Sequence, residues 1–133
     1  VLLSDYGDHP KEILMSAKSL REIYPNRKIT VMFQPHLYTR TRDFYKDFAA
    51  ALSNFDEVVL TDIYPAREEP IPGVTSKLIF DNIKPGVEKT MIKKDDVLEY
   101  VASRDFDVLE ILGAGNLDDL VPQIADLIKK KEE

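Results

Sequence analysis

The chain has 133 residues, 44% of them hydrophobic, enough for one compact domain with a single core, and no cysteine to build a disulfide framework or a thiolate metal site. Charged residues make up 32% and the net charge is −6, a balance that argues against a surface given over to nucleic acid or anionic membrane while leaving room for a local basic site. No apolar run approaches the roughly 20 residues needed to cross a bilayer, and no signal peptide is visible. The start on "VLL" without a methionine reads as a fragment of a longer chain.

In chain order, "VLLSD" (1–5) reads as a strand. It is followed by a helix striped with Ile13, Ala17, Leu20 and Tyr24, which begins at Pro10 with Glu12 suited to its positive end. "KITVMF" (28–33) is a second strand. The next helix carries Phe44, Phe48, Leu52 and Phe55, with Thr39 or Thr41 to cap it and Asp43 in its first turn. "EVVLTD" (57–62) and "EKTMI" (88–92) are strands, each followed by a shorter helix, near 75–84 and 94–103. "FDVLEIL" (106–112) is the last strand, and Leu117, Leu120, Val121, Ile124 and Ile128 stripe a final helix preceded by Asn116. This alternation predicts right-handed βαβ units in an α/β, three-layer, Rossmann-like domain. Its sheet should be mainly parallel, of roughly five to six strands, with helices on both faces. No repeat, low-complexity tract or internal boundary divides residues 1–133.

In such a sheet ligands bind beyond the carboxyl ends of the strands. "SDYGDHP", "QPHLYTRTR", "DIYPAREEPIPG" and "GAGN" all fall on that rim, whereas "YPNRK", "LSNFD", "NIKPGV" and "SRD" at the other end are ordinary connectors. Arg40 and Arg42 sit near a helix N-terminus, where the helix dipole disfavours cations by a few tenths to about 1 kcal/mol each. Arginines placed against that field point to an anion between them and the helix end, and, being two apart, they face different sides and suit different anionic groups. His36 is either a structural histidine or a member of that cluster, and Tyr38 either packs or makes a contact. Asp5 closes the first strand, where it suits ribose hydroxyls or simply caps a turn. Asp8 and His9 have no second histidine at metal-ligand spacing, so no metal site is expected. "GAG" at 113–115 reads as a tight turn with close backbone approach. No P-loop motif is present, so the chain cannot cradle a nucleoside triphosphate in that way. The proline-rich stretch 63–74 is long for an α/β loop and stiff.

"SDYGDHPKEI", "FQPHLYTRTRDF", "DIYPAREEPIPGVTS" and "GAGN" occur in the order and spacing of the C-terminal domain of the Mur ligase family. They most resemble its UDP-N-acetylmuramate–L-alanine ligases, and the resemblance spans essentially the whole chain. It implies the third, Rossmann-like domain of a three-domain bacterial cytoplasmic enzyme. ATP and Mg would be bound mainly by a central P-loop domain outside this chain. The implied reaction phosphorylates the lactyl carboxylate of UDP-N-acetylmuramate, and L-alanine's amine then attacks the acyl phosphate; neither nucleic acid nor membrane is an implied partner. By the same resemblance Arg40, Arg42 and His36 hold the alanine carboxylate and neighbouring oxygens, and Asp5, with Tyr6 beside it, meets the ATP ribose. Gly113, Ala114, Gly115 and Asn116 would help shape the amino acid pocket, and Asp8 and His9 are further candidates for shaping the site. The family usually reads Asp-Tyr-Gly/Ala-His-His-Pro, so Asp8 replaces a histidine here, and Ser4 stands where many members carry a second aspartate. Two other readings stay open: a domain of the murein-peptide recycling ligase, against which the "TRTR" run argues, and a non-catalytic anion- or nucleotide-binding module. The isolated chain is expected to be inactive.

Overall fold

The computed structural model describes every residue except Asp8, Ala114, Gly115 and Glu133, and every side chain of the rest but those of Tyr6 and Glu132. Five strands, β1 (Leu2–Tyr6), β2 (Ile29–Gln34), β3 (Glu57–Leu60), β4 (Glu88–Met91) and β5 (Val108–Gly113), form one sheet in the order β1-β5-β2-β3-β4. All its pairings are parallel. The helices are α1 (Pro10–Ile23), α2 (Tyr38–Leu52), α3 (Lys77–Phe80), α4 (Val97–Ala102) and α5 (Val121–Glu132).

Strands β2 and β5, in the middle, are buried along their whole length, which is why their sequences are apolar runs rather than alternating ones. Alternate residues serve opposite layers. Ile29, Val31, Phe33, Val58, Leu60 and Leu112 pack with Ile13 and Leu20 of α1, Phe48 and Leu52 of α2, and Ile79 of α3. Met32, Val59, Leu109 and Ile111 pack instead with Val97 and Val101 of α4, Leu117, and Ile124 of α5. The layering follows from handedness. From β1 to β4 the chain steps one way across the sheet, so right-handed crossovers put α1 to α3 on one face. The return from β4 to β5 runs the other way and puts α4 on the opposite face.

Local expectations needed correction in four places. Helix α2 begins at Tyr38, before either threonine expected to cap it; its N-cap is Leu37, with no side-chain hydrogen bond. Thr41 is buried and donates its hydroxyl to Leu37 O at 3.0 Å. Phe44, placed by period in the core stripe, is 40% exposed, and Tyr45 packs on the core in its stead. The last helix starts at Val121, after a 3-10 turn over Asn116–Leu120, and only Lys77–Phe80 of the stretch 75–84 is α-helical.

Candidate functional site at the rim beside β5

Because every pairing is parallel, the segments after β1, β2, β3 and β5 leave the sheet on one edge. Strand β5 lies between β1 and β2 but sends its chain to the face opposite α1 and α2. The strand ends on either side of β5 therefore diverge, opening the crevice where this class of sheet binds ligands. The register makes the neighbours explicit: Asp5 is level with Leu112, and Gly113 lies between Tyr6 and Gln34. Asp5 and Gly113 lie at the strand ends that border the crevice and Asn116 is tied to Gln34 there, whereas His36 follows β2 and bridges Tyr64 beyond β3; Asp8, Ala114 and Gly115 lie outside the described residues. A side chain added at Gly113 would meet Gln34 at an ordinary 3.6 Å. The close approach expected for this glycine is therefore not required by the chain's own packing.

Gln34, which the sequence reading passed over, ties the crevice together. Buried at the end of β2, it donates from Nε2 to Asn116 Oδ1 at 2.7 Å and accepts at Oε1 from Leu117 N at 2.9 Å. Its only sequence signal is a lone polar residue closing an apolar strand. His36 forms a bridge with Tyr64, and the two rings stack with centroids 5.7 Å apart and planes 15° from parallel. Arg40 Nη1 lies 3.4 Å from His36 Nδ1. A guanidinium only donates, so this contact favours the tautomer with its proton on Nε2. Arg42 is paired with Asp43 at 2.8 and 3.3 Å. That hydrogen bond raises the Arg42 pKa and holds the Asp43 carboxyl below its usual range.

The anion inferred near these arginines is in part the protein's own. Glu68, from the loop after β3, accepts from Thr39 N at 3.1 Å and from Thr39 Oγ1 at 2.6 Å. The Thr39 hydroxyl bond is the largest influence and holds its pKa down; desolvation opposes it, and the backbone N–H groups of Thr39 and Tyr38 and the charge of Arg42 add to the lowering. His9 caps α1, its Nδ1 accepting from Lys11 N at 3.3 Å, and its ring lies 6.2 Å from that of Phe44.

On the α1 side of the crevice, a cleft of about 510 Å³ is lined by Asp5, Glu12, Ser16 and Glu110, among others. Glu110 is 4% exposed, accepts from Ser16 Oγ at 3.0 Å through Oε2, and leaves Oε1 without a hydrogen bond among the described residues. Burial pushes its pKa up to about 7, the Ser16 hydroxyl opposes this, and the Asp5 charge adds to it. A second cleft, of about 590 Å³, opens past the ends of β3 and β4 between Tyr38, Asp62, Lys77 and Lys93, away from the β5 crevice. Among the described residues no group of three or more His, Asp or Glu could hold a metal ion. No helix there is long and apolar enough to cross a membrane.

Comparison with known proteins adds relatives. The chain is 60% identical over 131 residues to a UDP-N-acetylmuramate–L-alanine ligase from Phocaeicola vulgatus, covering 98% of this chain and 29% of that protein. It is 52% identical to the ligase of that name from Parabacteroides distasonis, again over 98% of the chain and 28% of the relative. Among solved structures it matches a UDP-N-acetylmuramate-alanine ligase from Thermotoga maritima at 25% identity and a TM-score of 0.70, covering 98% of this chain and 27% of that one. The chain therefore spans under a third of the length of these relatives. The model of the family described as "Mur ligase, glutamate ligase domain" matches residues 1–121, and the chain belongs to that family.

Proposed function

We propose that this chain is the substrate-closing domain of an ATP-dependent ligase that joins L-alanine to the lactyl carboxylate of UDP-N-acetylmuramate, a cytoplasmic step of peptidoglycan precursor synthesis. The observation that carries the reading is the pair of arginines near the start of α2, Arg40 on its first turn and Arg42 on the next, with Arg40 set against His36. The names of the relatives support it.

In this reading ATP, when bound, supplies the phosphoryl group that activates the sugar's carboxylate; the nucleotide and Mg are held mainly by a central domain outside this chain. Arg40 and Arg42 receive the alanine carboxylate and so fix the direction of its amine. Releasing Arg42 from Asp43 is cheap, because an exposed pair of this kind contributes only about 0–1 kcal/mol. His36, stacked on Tyr64, holds Arg40 in place. Asp5, exposed at the end of β1, accepts hydrogen bonds from ribose hydroxyls. Asn116, held by Gln34, shapes the wall of the amino acid pocket.

The test is steady-state kinetics of the full-length ligase carrying Arg40→Ala or Arg42→Ala. Loss of a charge-assisted contact from a closed site costs about 2 kcal/mol, a factor of roughly 30 in kcat/KM for L-alanine. Near wild-type kinetics in both variants would remove these residues from the site.

A further inference from the structure

We propose that Glu68 is a positioning residue for the arginine clamp: its carboxylate replaces the missing side-chain cap of α2 and so sets the direction in which Arg40 and Arg42 leave the helix. The inference deepens the ligase reading and rests on it. Helix α2 starts from Leu37, which has a positive φ of 70° and no side chain able to accept a hydrogen bond. Thr41 lies inside the helix, one turn on from the N-cap, and its hydroxyl donates back to Leu37 O. The first-turn N–H groups of α2 need an acceptor from elsewhere, and Glu68 supplies one. Thr39 donates to both of its oxygens, once from the backbone and once from the side chain. Two bonds from one residue fix the plane of the carboxylate as well as its place.

The loop that delivers Glu68 is itself fastened to the start of α2. Leu37 N donates to Tyr64 O at 2.9 Å, Tyr64 N to Pro35 O at 2.8 Å, and Glu68 N to Pro65 O at 2.9 Å across a turn in which Ala66 has φ 54°. Glu68 is thus presented from a braced turn. A chemical consequence follows for the clamp. The positive end of α2 is already satisfied by a carboxylate, so an incoming amino acid carboxylate is held by the guanidiniums and not by the helix N-terminus.

The experiment has a kinetic arm and one independent of activity. In the full-length ligase, Glu68→Ala should raise KM for L-alanine about tenfold while kcat changes far less, because misdirected arginines weaken substrate placement. Glu68→Gln, whose amide oxygen still accepts from Thr39 N–H, should keep most of the wild-type KM, and added acetate should lower the raised KM of Glu68→Ala. In the chain itself, the Thr39 amide proton should titrate by NMR below the ordinary glutamate value of 4.5, and the titration should vanish in Glu68→Gln. An unchanged KM in Glu68→Ala, alongside a raised KM in Arg40→Ala, overturns the positioning role and leaves the ligase reading standing. An unchanged KM in all the arginine and Glu68 variants overturns the ligase reading. A Thr39 amide indifferent to Glu68 overturns the positioning role whatever the kinetics.

Discussion

Replacing Glu110 by glutamine should stabilise the protein at alkaline pH and leave it nearly unchanged in mild acid. Glu110 sits inside β5, 4% exposed, with one oxygen bonded to Ser16 and the other unbonded among the described residues. Burial raises its pKa from 4.5 to about 7. A carboxyl whose folded pKa is raised binds its proton more tightly when folded. Its stability penalty is therefore absent below the unfolded value, grows as pH rises from there, and is complete above the folded value. The interval between 4.5 and about 7 corresponds to about 3 kcal/mol at 1.36 kcal/mol per pH unit. Glutamine has the same shape, still accepts from Ser16, and carries no charge to desolvate. Urea unfolding of both proteins across this pH range gives the difference directly. The wild type should lose up to about 3 kcal/mol relative to Glu110→Gln between mild acid and mild alkali. Parallel stability curves would refute the reasoning, since they would mean that the Glu110 carboxyl ionises as easily folded as unfolded.

Gln34→Ala should cost about 1–3 kcal/mol by leaving Leu117 N, and the Asn116 side chain with it, without their partner; thermal unfolding measures the loss, and hydrogen exchange should localise it to 116–120. At the opposite edge of the sheet, Glu57 is 3% exposed in its side chain and is held by Arg104 at 2.9 Å and the Thr30 hydroxyl at 3.0 Å, with Lys28 at 3.9 Å. Arg104→Ala should destabilise by about 2–3 kcal/mol through the charge it strands, and the double change with Glu57→Leu should recover part of that. Equal stability of the single and double variants would show that Glu57 does not depend on Arg104.

Much of the fold was legible because its signals are local and repeated. Runs such as "KITVMF" and "FDVLEIL" have the Val/Ile/Leu density of strands covered on both faces, and each of the five expected strands is found within a residue or two of its expected ends. The divergence of chain direction at β5 is not written in any segment, because it depends on the last strand entering between β1 and β2. At the rim, Arg40 and Arg42 stood out by their position against a helix dipole. What answers that dipole, Glu68, lies 29 residues beyond Thr39 inside "DIYPAREEPIPG", and nothing local in that loop says which helix its carboxylate will meet. Phe44 fitted the helical period, yet the core stripe leans toward Tyr45, leaving the Phe44 ring to the rim beside His9. Glu110 did carry a signal: a single carboxyl in the middle of a buried strand.

The strand order also has a consequence for how the chain comes together. Among the described residues β1 pairs only with β5, at Leu2–Leu109 through Tyr6–Gly113, so within this sheet the first strand waits for its partner until the last has been made. During synthesis β2, β3 and β4 can associate through successive crossovers, but the edge of β2 that will receive β5 stays open. Pairings this distant pay the largest loop-closure cost and are slow. Folding should thus end with a single insertion event, and the crevice that this insertion creates is the last part of the molecule to exist.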